Sequence, residues 1–142
     1  MSIWRSPETL ESLNAQPDTL NRSLGIVFTE IGADFVRATM PVDARTHQPA
    51  GLLHGGASVA LAETLGSTGA SMAVDRREYQ VVGQEINANH VRGVREGRVT
   101  GTARPLHIGG RSHVWSIEIV EAAGKLVCVS RITMAIIRRG AV

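Results

Sequence analysis

A His54-Gly55-Gly56 step opens a run of small and apolar residues that continues to Val74, and one carboxylate, Glu63, interrupts its middle. Backbone N–H groups at a helix N-terminus have no intrahelical partner and stabilise developing negative charge. A carboxylate in apolar surroundings serves as a nucleophile or a general base. Together they read as machinery for chemistry at a carbonyl. Glu63 and Ser67 stand four apart and so project from one face of the helix.

Gly55 is remote from that face position. Along one helix the step from Gly55 to Glu63 corresponds to roughly 12 Å, too far for both groups to act on one carbonyl. Two copies running antiparallel across a twofold axis near Val59 would bring residue 55 of one opposite residue 63 of the other, creating two equivalent sites. The spacing therefore predicts a dimer with shared sites. The same residues also fit an ordinary amphipathic helix with an exposed glutamate behind a glycine loop, and helix patterning alone weighs the two readings equally.

The elements that must position these groups follow from period and punctuation. Val59, Ala62, Leu65, Ala70 and Ala73 recur at helical spacings, which predicts a helix over 55–74. Gly66 and Gly69 each cost about 1 kcal/mol in a helix interior, so they are expected where a neighbouring sheet or helix packs closely. Ser6 and Pro7 resemble an N-cap and first helical residue, starting a short helix through about Leu13, and a second turn follows Pro17. These form a helical cover over about 6–22. Strands are expected at 25–32 and 35–42, joined at Gly32-Ala33-Asp34, then a polar loop at 43–51 leads into the long helix. Further strands are expected at 79–92, 97–108, 112–121 and 126–138, separated by Arg95-Glu96-Gly97, Gly109-Gly110 and Ala123-Gly124. Trp115, Ile117 and Ile119 alternate with Ser116 and Glu118, the mark of a half-covered antiparallel sheet. The expected architecture is one α+β domain over 1–142, a long central helix wrapped by a curved antiparallel sheet of five or six strands.

Composition narrows the function classes. The chain has 142 residues, 43% of them hydrophobic, enough for one domain with a core. Cys128 is the lone cysteine, which excludes an internal disulfide and an all-cysteine metal site. The start of the chain lacks a signal-peptide core and no apolar run approaches a membrane span, so a cytoplasmic location is expected, with no membrane partner. Net charge is +2 and the pI is near 9.3, which argues against a nucleic-acid partner. Yet Arg92, Arg95, Arg98, Arg104 and Arg111, with His107, face only Glu96 between positions 92 and 111. That run suits a phosphorylated ligand and is also the composition of a solvated strand face. His47, His54, His90, His107 and His113 form no HxH or HExxH pair, so no metal is expected.

The run Gln48-Pro49-Ala50-Gly51-Leu52-Leu53-His54-Gly55-Gly56-Ala57-Ser58, then Ala62-Glu63, Gly83-Gln84-Glu85-Ile86-Asn87-Ala88-Asn89-His90 and Pro105-Leu106-His107-Ile108-Gly109 resemble hotdog-fold acyl-CoA thioesterases. The nearest subgroup holds the 1,4-dihydroxy-2-naphthoyl-CoA, aryl-carrier-protein proofreading and 4-hydroxybenzoyl-CoA thioesterases. The resemblance extends from Thr9 to Ile137, with several separated motifs in order. It departs at Ala50, where several relatives carry phenylalanine, and at Gly110, where some carry serine. The first change reshapes the acyl end of the site, and the second removes a hydroxyl contact to the nucleotide.

The resemblance implies hydrolysis of an acyl-CoA or acyl-carrier thioester, aromatic acyl groups included. Glu63 would be the catalytic carboxylate and the Gly55 N–H the oxyanion donor. Gln48 and His54 would position the thioester, and Ser67 would orient the acyl group or water. It further implies that Gly83, His90, Val91, Arg92, Gly93, His107, Ile108, Gly109, Gly110, Arg111 and Ser112 hold the coenzyme A arm. No separate cofactor is implied, because coenzyme A belongs to the substrate. Two protomers would share one continuous sheet, and a dimer of dimers is expected from the apolar residues on both faces of strand 126–138. Two other functions fit the same features, a hotdog hydratase or dehydratase and a noncatalytic acyl-CoA-binding protein. Hydration of crotonyl-CoA without thiol release would mark the first, and binding without turnover the second.

Overall fold

The computed structural model describes residues 1–141. Two short helices, α1 (Leu10–Asn14) and α2 (Leu20–Leu24), lead into strands β1 (Val27–Ile31) and β2 (Val36–Pro41). The long helix α3 (Gly55–Ala73) follows, and then β3 (Tyr79–His90), β4 (Arg98–Ile108), β5 (Ser112–Val120) and β6 (Leu126–Arg138). All six strands pair antiparallel in the order β1-β2-β4-β5-β6-β3.

The start of the first helix differs from expectation. Ser6 is not its cap: the Ser6 N–H donates to the Met72 carbonyl and its hydroxyl accepts from the Arg76 N–H. With Ser6 and Pro7 held against the end of α3, capping passes to Thr9, whose hydroxyl accepts from the Ser12 N–H while the Ser12 hydroxyl accepts from the Thr9 N–H. The second turn is α2, closed by Gly25 in the left-handed region at φ 71°. That cap delays β1 to Val27, and the other strands end within two residues of their expected limits.

The sheet is what packs against the helix glycines. A Cβ on Gly66 would lie 2.5 Å from Ile132 Cγ2, and one on Gly69 would lie 2.7 Å from the Trp115 ring. Trp115, Ile117 and Ile119 are fully buried beneath α3, while Glu118 is exposed on the outer face. Trp4 stacks on Trp115 with ring centroids 6.2 Å apart and donates its indole N–H to the Gly32 carbonyl at 2.7 Å. The N-terminal segment thus packs through Trp4 against the core.

The two sheet edges are treated differently. At β1, the Asn14 side chain bonds both the N–H and the C=O of Phe28, at 2.8 and 2.9 Å, and so covers the edge. At the other edge, β3 pairs only with β6 among the described residues. Most of its twelve residues are exposed, and Val82 keeps 47% of its surface. A long uncovered edge strand is a template for pairing with another chain.

Candidate active site

The entry to α3 is built by a tethered loop. The buried Thr46 hydroxyl donates to the Pro41 carbonyl, and the Thr46 carbonyl accepts from the His54 N–H at 2.7 Å. His54 then caps the helix: its Nδ1 accepts from the Gly56 N–H at 2.7 Å, and its carbonyl accepts from the Ala57 and Ser58 N–H groups. The Gly55 N–H is left without an acceptor among the described residues. It is a free donor at the positive end of a 19-residue helix.

That donor opens onto a cavity of about 360 Å³. Gln48, Gly55, His90, Val91, Arg92 and Gly93 all line it, so the structure brings these six expected residues together. Gln48 is held in a turn by the Leu52 and Gly51 backbone, and its Oε1 accepts from the Ala50 N–H, which leaves its NH2 as a donor. The His90 imidazole covers Gly55, since a Cβ there would lie 2.8 Å from His90 Nε2. Gly55, with its free N–H, thus shares the lining of this cavity with the amide-bearing Gln48 and the cationic Arg92.

Glu63 sits elsewhere in the protomer. It is exposed on the middle of α3 and faces Gly83 of β3, not His90. Ser67 follows one turn later on the same face, half-buried, with its hydroxyl 3.9 Å from Met134 Sδ. Gly55 and Glu63 lie on one uninterrupted helix, so the separation of roughly 12 Å stands within one chain.

The remaining expected residues form a third group. Ile108, Gly109 and Gly110 line a cavity of about 390 Å³ at the C-terminal end of α3, with Val74, Tyr79 and His113. His107 and Ser112 flank the tight turn in which the Gly109 N–H donates to the Ser112 carbonyl, and the Arg111 carbonyl accepts from the Ile136 N–H. One protomer therefore divides seven of the residues expected around coenzyme A between two cavities at opposite ends of α3, while Gly83, His107, Arg111 and Ser112 line neither. His113, to which no chemistry was assigned, is buried with its Nδ1 unpartnered among the described residues. Burial, with His107 nearby, pushes its pKa below the usual histidine value.

Sequence reasoning gave no role to Leu52, Leu53, Ser58 and Val127, which also line the first cavity. Ser58 lies one turn beyond Gly55 and was open to detection by helical period. Val127 reaches the site only through the β3–β6 pairing, where the Val91 N–H donates to its carbonyl, and no local signal marks it.

Comparison with known proteins gives consistent matches. The sequence pattern of the thioesterase superfamily matches residues 50–128. The chain is 54% identical over 136 residues to the 1,4-dihydroxy-2-naphthoyl-CoA hydrolase of Escherichia coli, covering 95% of this chain and 99% of that one. It is 52% identical over 136 residues to the proofreading thioesterase EntH of Cronobacter sakazakii, covering 95% and 98%. A mutant thioesterase from Pseudomonas aeruginosa, crystallised with one glutamine replaced by alanine, superposes with a TM-score of 0.94 at 50% identity, covering 96% of this chain and 99% of that one.

Proposed function

Because the chain belongs to the thioesterase superfamily and has its hotdog fold, we propose that it hydrolyses an acyl-CoA thioester at sites shared between two protomers. The observation that carries the reading is the free N–H of Gly55, a residue that lines one cavity with Arg92 and His90, while the helix's one carboxylate stands a fixed distance away.

The thioester carbonyl oxygen accepts from the Gly55 N–H of one protomer at the positive end of α3. Glu63 of the other attacks the carbonyl carbon and expels the coenzyme A thiolate, or it takes a proton from the water that attacks. Thiolate is a good leaving group, so no strong acid is needed behind it. Gln48 and His54 position the thioester, and Ser67 orients the acyl group or water. Residues 90–93 and 107–112 hold the coenzyme A arm, with Arg92 and Arg111 toward its phosphates. The acyl groups named for the relatives, dihydroxynaphthoyl first, are the starting substrates to test.

Two contacts within the protomer support the dimer and suggest a register for it. His90 covers Gly55 and Gly83 faces Glu63, so amide and acid meet only if Gly83 of one β3 approaches His90 of its partner. Antiparallel pairing of the two free β3 edges does this with a twofold axis at Asn87, because the bulged Gln84 adds no step to the register. A dimer of such dimers and a cytoplasmic setting, in keeping with the lone buried Cys128, complete the proposal.

The test is thiol release from a panel of benzoyl-, naphthoyl-, phenylacetyl- and straight-chain acyl-CoA. The wild type is expected to release thiol, and folded Glu63→Ala to lose most of that turnover. Wild-type rates from purified, folded Glu63→Ala would overturn the assignment. Single-turnover hydrolysis in heavy-oxygen water separates the two routes: direct water attack labels the acid released first, whereas an anhydride opened at the Glu63 carbonyl labels Glu63.

A further inference from the structure

Gly83 is a glycine for a reason its backbone does not supply. It lies within β3 and is absent from the glycines with positive φ, so its conformation is open to any residue. It is also exposed, so the core does not exclude a side chain there. What a Cβ would meet is Glu63: the atom would lie 2.9 Å from Glu63 Oε1, while its next neighbour, Met134 Sδ, stands at an ordinary 3.9 Å.

A bulge accompanies the glycine. β3 pairs Gly83 with Met134 and Glu85 with Thr133, which leaves Gln84 without a partner. Met134 is buried on the inner face, so Gly83 faces α3 as its partner does. In a regular strand Glu85, two residues on, would face α3 as well. The extra residue turns Glu85 to the outer face, where its carboxylate accepts from Asn87 Nδ2 at 3.0 and 3.1 Å. The bulge thus removes a second carboxylate from the side of the sheet that Glu63 occupies, and the glycine leaves Glu63 the space beside the strand.

We infer that Gly83 and the bulge at Gln84 are a positioning device for the Glu63 carboxylate. The resemblance to hotdog thioesterases implies a coenzyme A contact for Gly83, whereas here it acts through the acid. The inference rests on Glu63 being the catalytic carboxylate.

In Gly83→Ala, the clash within the protomer falls on the free end of the Glu63 side chain, so the protomer folds as the wild type does while the carboxylate swings aside, and sedimentation is expected to show the assembly unchanged. A displacement approaching 1 Å corresponds to a loss of ~10- to 100-fold in kcat, with KM little changed. The decisive variant is the double one. Aspartate is one methylene shorter and does not reach the added methyl group, so Gly83→Ala is expected to cost nothing further in a Glu63→Asp background. Normal kcat in Gly83→Ala would overturn the inference. So would a raised KM with losses that multiply with those of Glu63→Asp, which is the result a coenzyme A contact gives. Full turnover in Glu63→Ala would instead overturn the catalytic reading beneath it.

Discussion

Replacing Gly55 with proline would remove one backbone hydrogen and preserve the helix. Position 55 is the first residue of α3, where proline is tolerated because its missing N–H has no helical partner. The preceding residue suits it too, since His54 has φ −67° and ψ 130°, the extended conformation required before proline. The ring would press on His90, because a Cβ at this position lies 2.8 Å from His90 Nε2. Gly55→Ala makes the same contact but keeps the N–H, so the difference between the two variants isolates the donor. Removing one oxyanion donor costs ~10²–10³-fold in turnover, and Gly55→Pro is expected to fall below Gly55→Ala by that factor. The shared-site geometry adds a sharper number. When Gly55→Pro and Glu63→Ala protomers are unfolded, mixed in equal amounts and refolded, about a quarter of the sites pair an intact amide with an intact acid. Thiol release should therefore recover to about a quarter of the wild-type rate from two nearly inactive parents, however many dimers the assembly contains. If exchange of protomers is demonstrated by mass and the mixture stays as inactive as its parents, each site draws both groups from one chain and the dimer mechanism fails.

The β3 register offers a second test of the same assembly. Asn87 is exposed beside the proposed axis, so Asn87→Cys is expected to cross-link to its own copy under mild oxidation, the Cα atoms falling within the ~4.4–6.8 Å a disulfide spans; an uncrosslinked dimer would refute that register. His113 predicts a pH effect on stability. Burial lowers its folded pKa below the unfolded value near 6.5, so as pH falls through that value the unfolded chain takes up a proton that the folded one refuses, and stability drops by up to about 1.4 kcal/mol per pH unit. Urea midpoints between pH 7.5 and 5.5, in a range set by that direction of shift, should fall more steeply for the wild type than for His113→Leu, and parallel curves would count against it.

The parts of this molecule that were legible in the sequence are those set by local chemistry. The period of α3 and the alternation of β5 reflect geometry repeated every few residues, and both elements stand where that period puts them. The helix glycines announced a close neighbour without naming it, because Ile132 and Trp115 reach Gly66 and Gly69 only once β5 and β6 wrap around α3. The N-terminal cap went to Thr9 and not Ser6 for the same kind of reason. Ser6 has the right side chain for a cap, but Met72 and Arg76, some seventy residues on, claim its backbone and hydroxyl. The bulge at Gln84 was invisible altogether, since nothing in Gly83-Gln84-Glu85 separates an extra residue from a regular strand until the β6 partners are known.

The site divides along the same line. Gln48, Gly55 and His90–Gly93 share one cavity because a single loop and the end of β3 meet at the head of α3. Glu63 has no such company in its own chain, and neither does the 108–110 turn, which lies at the far end of the helix. A protomer that keeps donor and acid on one rigid helix holds them apart at a constant distance, so neither can drift toward the other and spoil the free amide. Under the proposed mechanism, bringing them together is the work of an interface, and the uncovered β3 edge is a surface able to form one: its middle carries Gly83 against Glu63 and its end carries His90 against Gly55. Strand pairing that satisfies the exposed backbone of β3 would assemble both sites in the same step, so activity should appear only where the dimer does.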